Sequence, residues 1–274
     1  MKITGKTKIA GIFGYPVEHT LSPAMHNAAF EALGLDYCYI PFSVHPDLLS
    51  AAIEGIRALN LLGVNITVPH KERVMPMLDK INGEASFIGA VNTIVSSDGQ
   101  LTGYNTDGRG FMQSLSESGI NVRERNVLIV GAGGAARAIG YYLAQEVKAL
   151  YIYGRTRERA ERLVQDLKKV AVNVSTLQDI SPADRFHMII NATPLGLRDD
   201  DPLPLDTGLL HREQMVCDLI YRDTRFLREA SKRGCATLNG LGMLLWQGVF
   251  AFELWTGRRP DVEIMRKALA DTIS

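Results

Sequence analysis

Cysteine is scarce in this sequence: three residues, Cys38, Cys217 and Cys235, stand far apart in a chain of 274. So small, odd and scattered a set forms neither a disulfide framework nor a zinc-ligand spacing, and it points to a reducing compartment. Long apolar runs are missing as well. None approaches the roughly 20 residues that cross a bilayer, and the basic opening Met-Lys-Ile-Thr-Gly-Lys-Thr-Lys leads into no apolar targeting segment. Nor is there an excess of either charge, since 30 Lys plus Arg balance 30 Asp plus Glu. A neutral chain offers no general basic surface for nucleic acid or an anionic membrane, although a local pocket can still be positive. Short-period repeats and low-complexity segments are also absent. These absences leave a soluble, cytoplasmic chain with length for one large or two ordinary domains and a small molecule as its natural partner.

What is present is an alternation of short apolar runs and amphipathic stretches. Residues 8–13 predict a strand, and Gly14-Tyr15-Pro16 a turn. Ser22 predicts a helix N-cap, with Pro23 as first helical residue and Gly34 as the stop. Residues 37–44 and 62–68 read as strands on either side of a helix over 47–59. A further helix is expected after Lys71, interrupted at Pro76. Asp98-Gly99 signals a hairpin between strands entering near Gly89 and returning over 101–104. Thr106 or Asp107 is a candidate cap for a helix over 108–118. From Asn126 onward one strand–helix unit follows another, which predicts an α/β fold with parallel neighbours. An almost continuous apolar helix over 240–256 and a polar-capped one from Val262 close the chain.

Two stretches carry chemistry. Gly131-Ala132-Gly133-Gly134-Ala135-Ala136 follows the apolar strand 127–130 and opens a helix. This G-x-G-x-x-A pattern, in that context, suits a dinucleotide: the first glycine allows the tight turn, and the second lets a pyrophosphate approach the backbone amides. The alternative is a glycine-rich turn that binds nothing. At the next strand end, Tyr153-Gly154-Arg155-Thr156-Arg157-Glu158-Arg159, no acid stands where a ribose 2′-hydroxyl would be held. Arg155 with Thr156, and Arg159 one turn on, favour a 2′-phosphate and hence NADP over NAD. Arg157 is read as the solvated start of a helix.

The second stretch, Val64-Asn-Ile-Thr-Val-Pro-His-Lys71, ends a buried strand in an amide, a hydroxyl and an amine. By itself it fits a solvated surface lysine better than a site. His19, His26 and His70 have no metal-ligand spacing with Asp or Cys, so no metal is expected. Asp199-Asp200-Asp201 reads as a solvated loop, and Trp246 and Phe250 as core.

Taken in order, Thr20-Leu21-Ser22-Pro23, Asn65 to Lys71, Gly89 to Thr93, Asn105-Thr106-Asp107, Gly131 to Ala136, Arg155-Thr156, Asn191-Ala192-Thr193, Asp218 to Tyr221, and Gly240 to Leu244 with Gln247 resemble the shikimate dehydrogenase family. The resemblance implies an N-terminal α/β substrate domain, residues 1–107 with 240–274, and a Rossmann-type NADP-binding domain, residues 108–239, with the active site in the interdomain cleft. It implies NADP-dependent reduction of 3-dehydroshikimate to shikimate, in a monomer or homodimer. By the same resemblance Lys71 and Asp107 form the catalytic pair. Thr20, Ser22 and Tyr221 bind the substrate carboxylate, and Thr67, Asn92 and Gln247 hold ring oxygens. Gly131, Gly133, Gly134 and Ala135 cradle the pyrophosphate, while Arg155, Thr156 and Arg159 take the adenosine phosphate. Thr193, Leu219, Gly242 and Met243 line the nicotinamide. Four departures stand out: Thr20 where the family usually has Ser, Tyr153-Gly154 before Arg155, Pro194 after Asn191-Ala192-Thr193 where Ser is common, and Arg222-Asp223 after Tyr221. The alternatives are a quinate/shikimate dehydrogenase with relaxed substrate or NAD use, and a non-catalytic NADP-binding regulator.

Overall fold

The computed structural model describes residues 3–180 and 186–273. The chain forms two compact units, one of residues 1–106 with 245–274 and one of residues 107–244.

In the first unit the elements are β1 (Lys8–Gly14), α1 (Ser22–Ala32), β2 (Tyr37–Ser43), α2 (Leu49–Ala58), β3 (Gly63–Ile66), β4 (Lys80–Ile81), α3 (Gly83–Ile88), β5 (Thr93–Ser97) and β6 (Gln100–Tyr104). The six strands form one sheet in the order β2-β1-β3-β5-β6-β4. β1 lies parallel to both β2 and β3, whereas β5 runs antiparallel to β3 and β6 antiparallel to β5. The last reversal is the tight turn at Asp98 and Gly99, with φ of 52° and 77°, the left-handed pair that a two-residue hairpin demands. Phe13, Ile53, Ile56, Val64, Ile66, Val91, Ile94 and Leu101 form its core. Gly63 is required where it stands. Its φ is 151°, and a Cβ there would collide with the Ile94 carbonyl and, at 2.6 Å, with the Trp255 indole nitrogen. That indole donates to the same carbonyl at 2.9 Å.

The second unit continues with α4 (Asp107–Glu117), β7 (Asn126–Val130), α5 (Gly134–Glu146), β8 (Ala149–Tyr153), α6 (Arg157–Leu167), β9 (Val174–Thr176), β10 (Met188–Asn191), β11 (Met215–Asp218), α7 (Arg225–Lys232) and β12 (Ala236–Leu238). α8 (Leu241–Thr256) passes back to the first unit, which α9 (Val262–Ile273) completes. The second sheet runs β12-β11-β10-β7-β8-β9, and every pairing in it is parallel. Counted from β7, this is the doubly wound order 3-2-1-4-5-6, whose switch point falls between β7 and β10. Ligands of such sheets bind beyond the strand C-termini at that switch. Leu128, Val130, Phe186, Ile189, Val216, Phe226 and Leu227 form the core of this unit.

Several expectations are corrected. No helix follows Lys71. Val68–Pro69 is a cis peptide, residues 71–74 form turns, and only the 3₁₀ turn Met75–Met77 precedes β4. Ser22 does not cap α1: the cap position is Leu21, with helical φ and ψ of −92° and −7° and no side-chain cap bond. α3, α7, β4 and β12 have no counterpart in the sequence reading. α3 is six residues long and capped by Asn82, which accepts from Glu84 N at 2.9 Å. That is too short for a helical period to be counted.

Candidate active site

The polar residues of the first unit are organised by Asn65, third residue of β3 and 4 % exposed. Its amide nitrogen donates to the Asn92 carbonyl at 3.1 Å and to Thr93 Oγ1 at 3.0 Å. The carbonyl can only accept, so this pair fixes the orientation of the Asn65 amide. Asn65 Oδ1 therefore faces the Tyr39 hydroxyl, which donates to it at 2.7 Å. Ser22 lies near the same phenol and partly offsets the effect of its burial. Burial pushes the Tyr39 phenol well above its ordinary range, so it stays protonated. Asn92 extends the chain: its Oδ1 accepts from Thr106 N at 2.8 Å and its amide donates to Thr106 Oγ1 at 2.9 Å. A neutral network thus runs from Tyr39 to Thr106, and it includes one of the predicted substrate residues, Asn92.

Thr20 is half-buried, and its hydroxyl accepts from Ser22 N at 3.4 Å. Thr67 follows β3, with its amide on the Phe13 carbonyl at 2.9 Å and its methyl where a side chain at Gly14 would have to go. Lys71 is half-buried, its carbonyl accepting from Val91 N at 2.8 Å. The neighbouring His70 points away into the protein: it is fully buried, and its Nε2–H donates to the Val44 carbonyl at 2.8 Å. Gln247 is buried on α8, next to Gly248, where any side chain would strike Met25 of α1. One turn before Phe30, His26 is fully buried between Tyr39, stacked at 4.4 Å, and Trp255 at 5.3 Å. Neither of its ring nitrogens makes a hydrogen bond. It is a core aromatic residue, and burial lowers its pKa to about 3.

In the second unit the glycine loop lies at the switch point. Gly131 follows β7 with φ of 122°, and a Cβ there would stand 3.0 Å from the Ala192 carbonyl and 3.2 Å from the Thr193 methyl. Both neighbours follow β10. Gly133 is the N-cap of α5, without a side-chain cap, and a Cβ there would meet no protein atom within 4 Å. Packing therefore does not explain that glycine, whereas a phosphate against the amides of Gly133, Gly134 and Ala135 does. Arg155, Thr156 and Arg159 are exposed beyond β8. Arg157 is taken by Glu161 at 2.7 Å, as its reading as a helix-surface residue anticipates.

The tip of β10 is tied down by Asn191. Its Oδ1 accepts from Thr193 N at 3.0 Å and from Thr193 Oγ1 at 2.7 Å. Its amide donates to the Leu195 carbonyl at 3.0 Å and to Asp218 Oδ1 at 3.1 Å. Asp218, at the tip of β11, also accepts from Ile220 N at 3.1 Å and Thr224 Oγ1 at 2.8 Å. Burial raises its pKa despite those donors. Leu219 N donates to the Asn191 carbonyl at 3.0 Å, and Gly240 lies against the Leu219 carbonyl. Gly242 is explained by packing, since a Cβ there would stand 2.8 Å from Ser114 Cβ of α4; Met243 beside it is half-buried. Tyr221 is half-buried, and Asp107 is buried at the start of α4.

The departure after Tyr221 has a structural use. Arg222 donates to the carbonyls of Gly196 and Leu197 and pairs with Asp199 at 3.4 Å. Asp201 accepts from the amides of Gly196 and Arg198, each at 3.0 Å. The acidic run expected to be merely solvated is thus a loop clasp. Among the described residues no group of His, Cys, Asp and Glu could hold a metal ion, and no helix is long and apolar enough to cross a membrane.

The switch-point sheet and glycine loop define the class: an α/β dinucleotide-binding enzyme joined to a second α/β unit. Comparison narrows this. Residues 12–94 match the shikimate dehydrogenase substrate binding domain, residues 114–195 shikimate / quinate 5-dehydrogenase, and residues 240–270 the shikimate 5′-dehydrogenase C-terminal domain. A shikimate dehydrogenase (NADP(+)) of Desulforamulus reducens is 47 % identical, over 98 % of this chain and 96 % of its own. A shikimate dehydrogenase crystallised with NADP+ superposes with a TM-score of 0.93 at 43 % identity, covering 100 % of this chain and 98 % of that one. The Thermus thermophilus shikimate 5-dehydrogenase, solved with NADP(H) and shikimate, gives 0.88 at 37 %, covering 96 % and 99 %. The chain belongs to the shikimate dehydrogenase family.

Proposed function

We propose that the protein is an NADP-dependent oxidoreductase that interconverts 3-dehydroshikimate and shikimate, serving aromatic amino-acid synthesis by way of chorismate. The observation that carries this is family membership along the whole chain, to a relative 47 % identical over 98 % of it. Bound NADPH supplies the hydride. Lys71, protonated, donates to the ketone oxygen as charge develops there, and in reverse its neutral amine takes the proton from the alcohol. Asp107 orients the ammonium and accepts from a neighbouring substrate hydroxyl. Thr20, Ser22 and Tyr221 take the carboxylate; Thr67, Asn92 and Gln247 take ring hydroxyls. So many paired polar groups give selectivity, since an analogue lacking a hydroxyl leaves buried partners unsatisfied.

The residues present fit the cofactor. Gly131, Gly133, Gly134 and Ala135 receive the pyrophosphate, the exposed pair Arg155 and Arg159 with Thr156 takes the 2′-phosphate, and Thr193, Leu219, Gly242 and Met243 line the nicotinamide. Residues 1–107 with 240–274 form the substrate domain in this reading, and 108–239 the cofactor domain. The protein works in the cytoplasm as a monomer or homodimer. The test is an initial-rate matrix of shikimate and quinate against NADP+ and NAD+. Shikimate with NADP+ is the expected optimum. Quinate turnover of similar efficiency would move the protein to the quinate-using branch, and no turnover at all would leave the non-catalytic reading.

A further inference from the structure

Asn191 is fully buried at the tip of β10, and its side-chain hydrogen bonds have fixed directions. The Leu195 carbonyl can only accept, so the amide nitrogen faces it, at 3.0 Å. The Thr193 N–H can only donate, so the amide oxygen faces it, at 3.0 Å. The Thr193 hydroxyl gives its proton to that same oxygen at 2.7 Å and accepts from Leu195 N at 3.1 Å. Its one donor is therefore spent inside the protein. The group that the half-buried Thr193 turns toward the glycine loop is its methyl, 3.2 Å from where a Cβ on Gly131 would stand. The Asn191 amide also donates to Asp218 Oδ1 at 3.1 Å, and that oxygen accepts from Ile220 N at 3.1 Å. Leu219, between those two residues, donates its own N–H to the Asn191 carbonyl at 3.0 Å. Thr193 and Leu219, two of the residues proposed to line the nicotinamide, are thus both held by one asparagine.

We infer that Asn191 is a positioning residue for hydride transfer: it withdraws the Thr193 hydroxyl from the ligand and sets the Thr193 methyl and the Leu219 backbone as a fixed wall for the nicotinamide. It governs the rate of hydride transfer rather than the affinity for NADP+. The pyrophosphate and the 2′-phosphate, which carry the charge of the cofactor, are assigned to other loops, residues 131–135 and 155–159. Ring placement matters to the rate because a misplacement of about 1 Å can cost about 10²-fold. This rests on the proposed function and deepens it, since it assigns part of the rate to a side chain outside the contact set.

Asn191→Ala removes every side-chain bond of the hub. Thr193→Val removes only the hydroxyl and keeps the shape and the Asn191–Asp218 bond. In single-turnover reactions of the full chain with shikimate and NADP+, the rate constant should fall about tenfold or more in Asn191→Ala. In Thr193→Val it should fall about three- to tenfold. The Kd for NADP+ should stay within about twofold in both. A merely structural role would lower the amplitude, through a smaller folded fraction, and leave the rate constant alone. Independently of turnover, the time-resolved emission anisotropy of bound NADPH should gain a fast component in either variant as the ring loosens, against a single slow decay in the wild-type protein. In the Asn191→Ala background, Thr193→Val should add less than about twofold, since the hydroxyl acts only through the missing amide. A hydroxyl that served the ligand directly would cost its full effect in both backgrounds. That result would overturn the inference, as would an unchanged rate constant or an equally rigid bound NADPH in Thr193→Val, which tests the claim even if Asn191→Ala does not fold. Shikimate turnover by the wild-type protein would in each case leave the functional reading standing, whereas its absence would overturn both.

Discussion

Each unit carries a buried asparagine near the end of a central strand, Asn65 on β3 and Asn191 on β10, and each amide organises the polar groups around it. The two hubs differ in charge. Around Asn65 every partner is neutral: Tyr39, Thr93 and the Asn92 carbonyl. Around Asn191 one partner is the carboxyl group of Asp218, whose pKa burial raises. The titratable group buried beside the first hub is instead His26, whose pKa burial lowers to about 3. A neutral network suits the proposed substrate end, because its own members add no negative charge beside a carboxylate ligand. A carboxyl held by three donors serves a different purpose: it locks the loops after β10 and β11, where backbone position matters more than charge.

The contrast has opposite consequences for acid stability. His26 has a folded pKa of about 3 against 6.5 in the unfolded chain. The unfolded state therefore binds the proton first, and stability falls as pH drops from about 6.5 toward 3, by on the order of 5 kcal/mol across the window. This is the largest effect expected, and it should be confined to the first unit. Hydrogen exchange of β1 and β3 amides at pH 7, 5 and 4 measures it, and His26→Phe should flatten the profile. Uniform acid loss in both units, unchanged in the variant, would dissolve the comparison.

Next in size is chemistry. Lys71→Ala should lower kcat by about 10²–10⁴ while shikimate binding changes only a few-fold; single-turnover kinetics with a separate binding titration resolves the two. An unchanged kcat would take Lys71 out of the reaction. Arg155→Ala should raise the KM for NADP+ by roughly tenfold or more and leave that for NAD+ nearly constant. Equal losses would put the phosphate elsewhere. The smallest effect belongs to Asp218. Its folded pKa is raised, so its contribution is lost as pH rises through the window above the ordinary carboxylate value of 3.8, the reverse of His26. Asp218→Asn should remove that slope from the second unit and cost about 1 kcal/mol through weaker acceptance from Ile220 and Thr224. Parallel denaturation curves at pH 5 and 7 would reveal it.

The parts visible in the sequence were those with local causes. The strand–glycine–helix order at 126–146, the Asp98-Gly99 turn and the strand tip at Arg155 each follow from neighbouring residues. Parallel pairing and the switch point follow from repeated strand–helix alternation. What escaped was set by tertiary partners. Ser22 satisfied every local rule for a cap, yet the cap position is Leu21 and Ser22 is buried as the first helical residue. Asn65 offers no sequence signal for its place at the centre of a buried polar network, because its partners are 26 to 28 residues away. His26 was set aside as a metal ligand on its spacing, and what the sequence did not show is its aromatic surroundings from α1, β2 and α8. α7 did leave a signal. Thr224 caps it through the Leu227 amide at 3.3 Å, and Phe226, Leu227 and Ala230 make its buried face.

That this chain oxidises shikimate with NADP+ is a kinetic statement. Its most direct test is the initial rate of NADPH formation from shikimate by the purified protein, beside the same assay with quinate and with NAD+. The highest kcat/KM is expected for shikimate with NADP+, falling by orders of magnitude in Lys71→Ala. NADP+ binding without turnover of either polyol would contradict it.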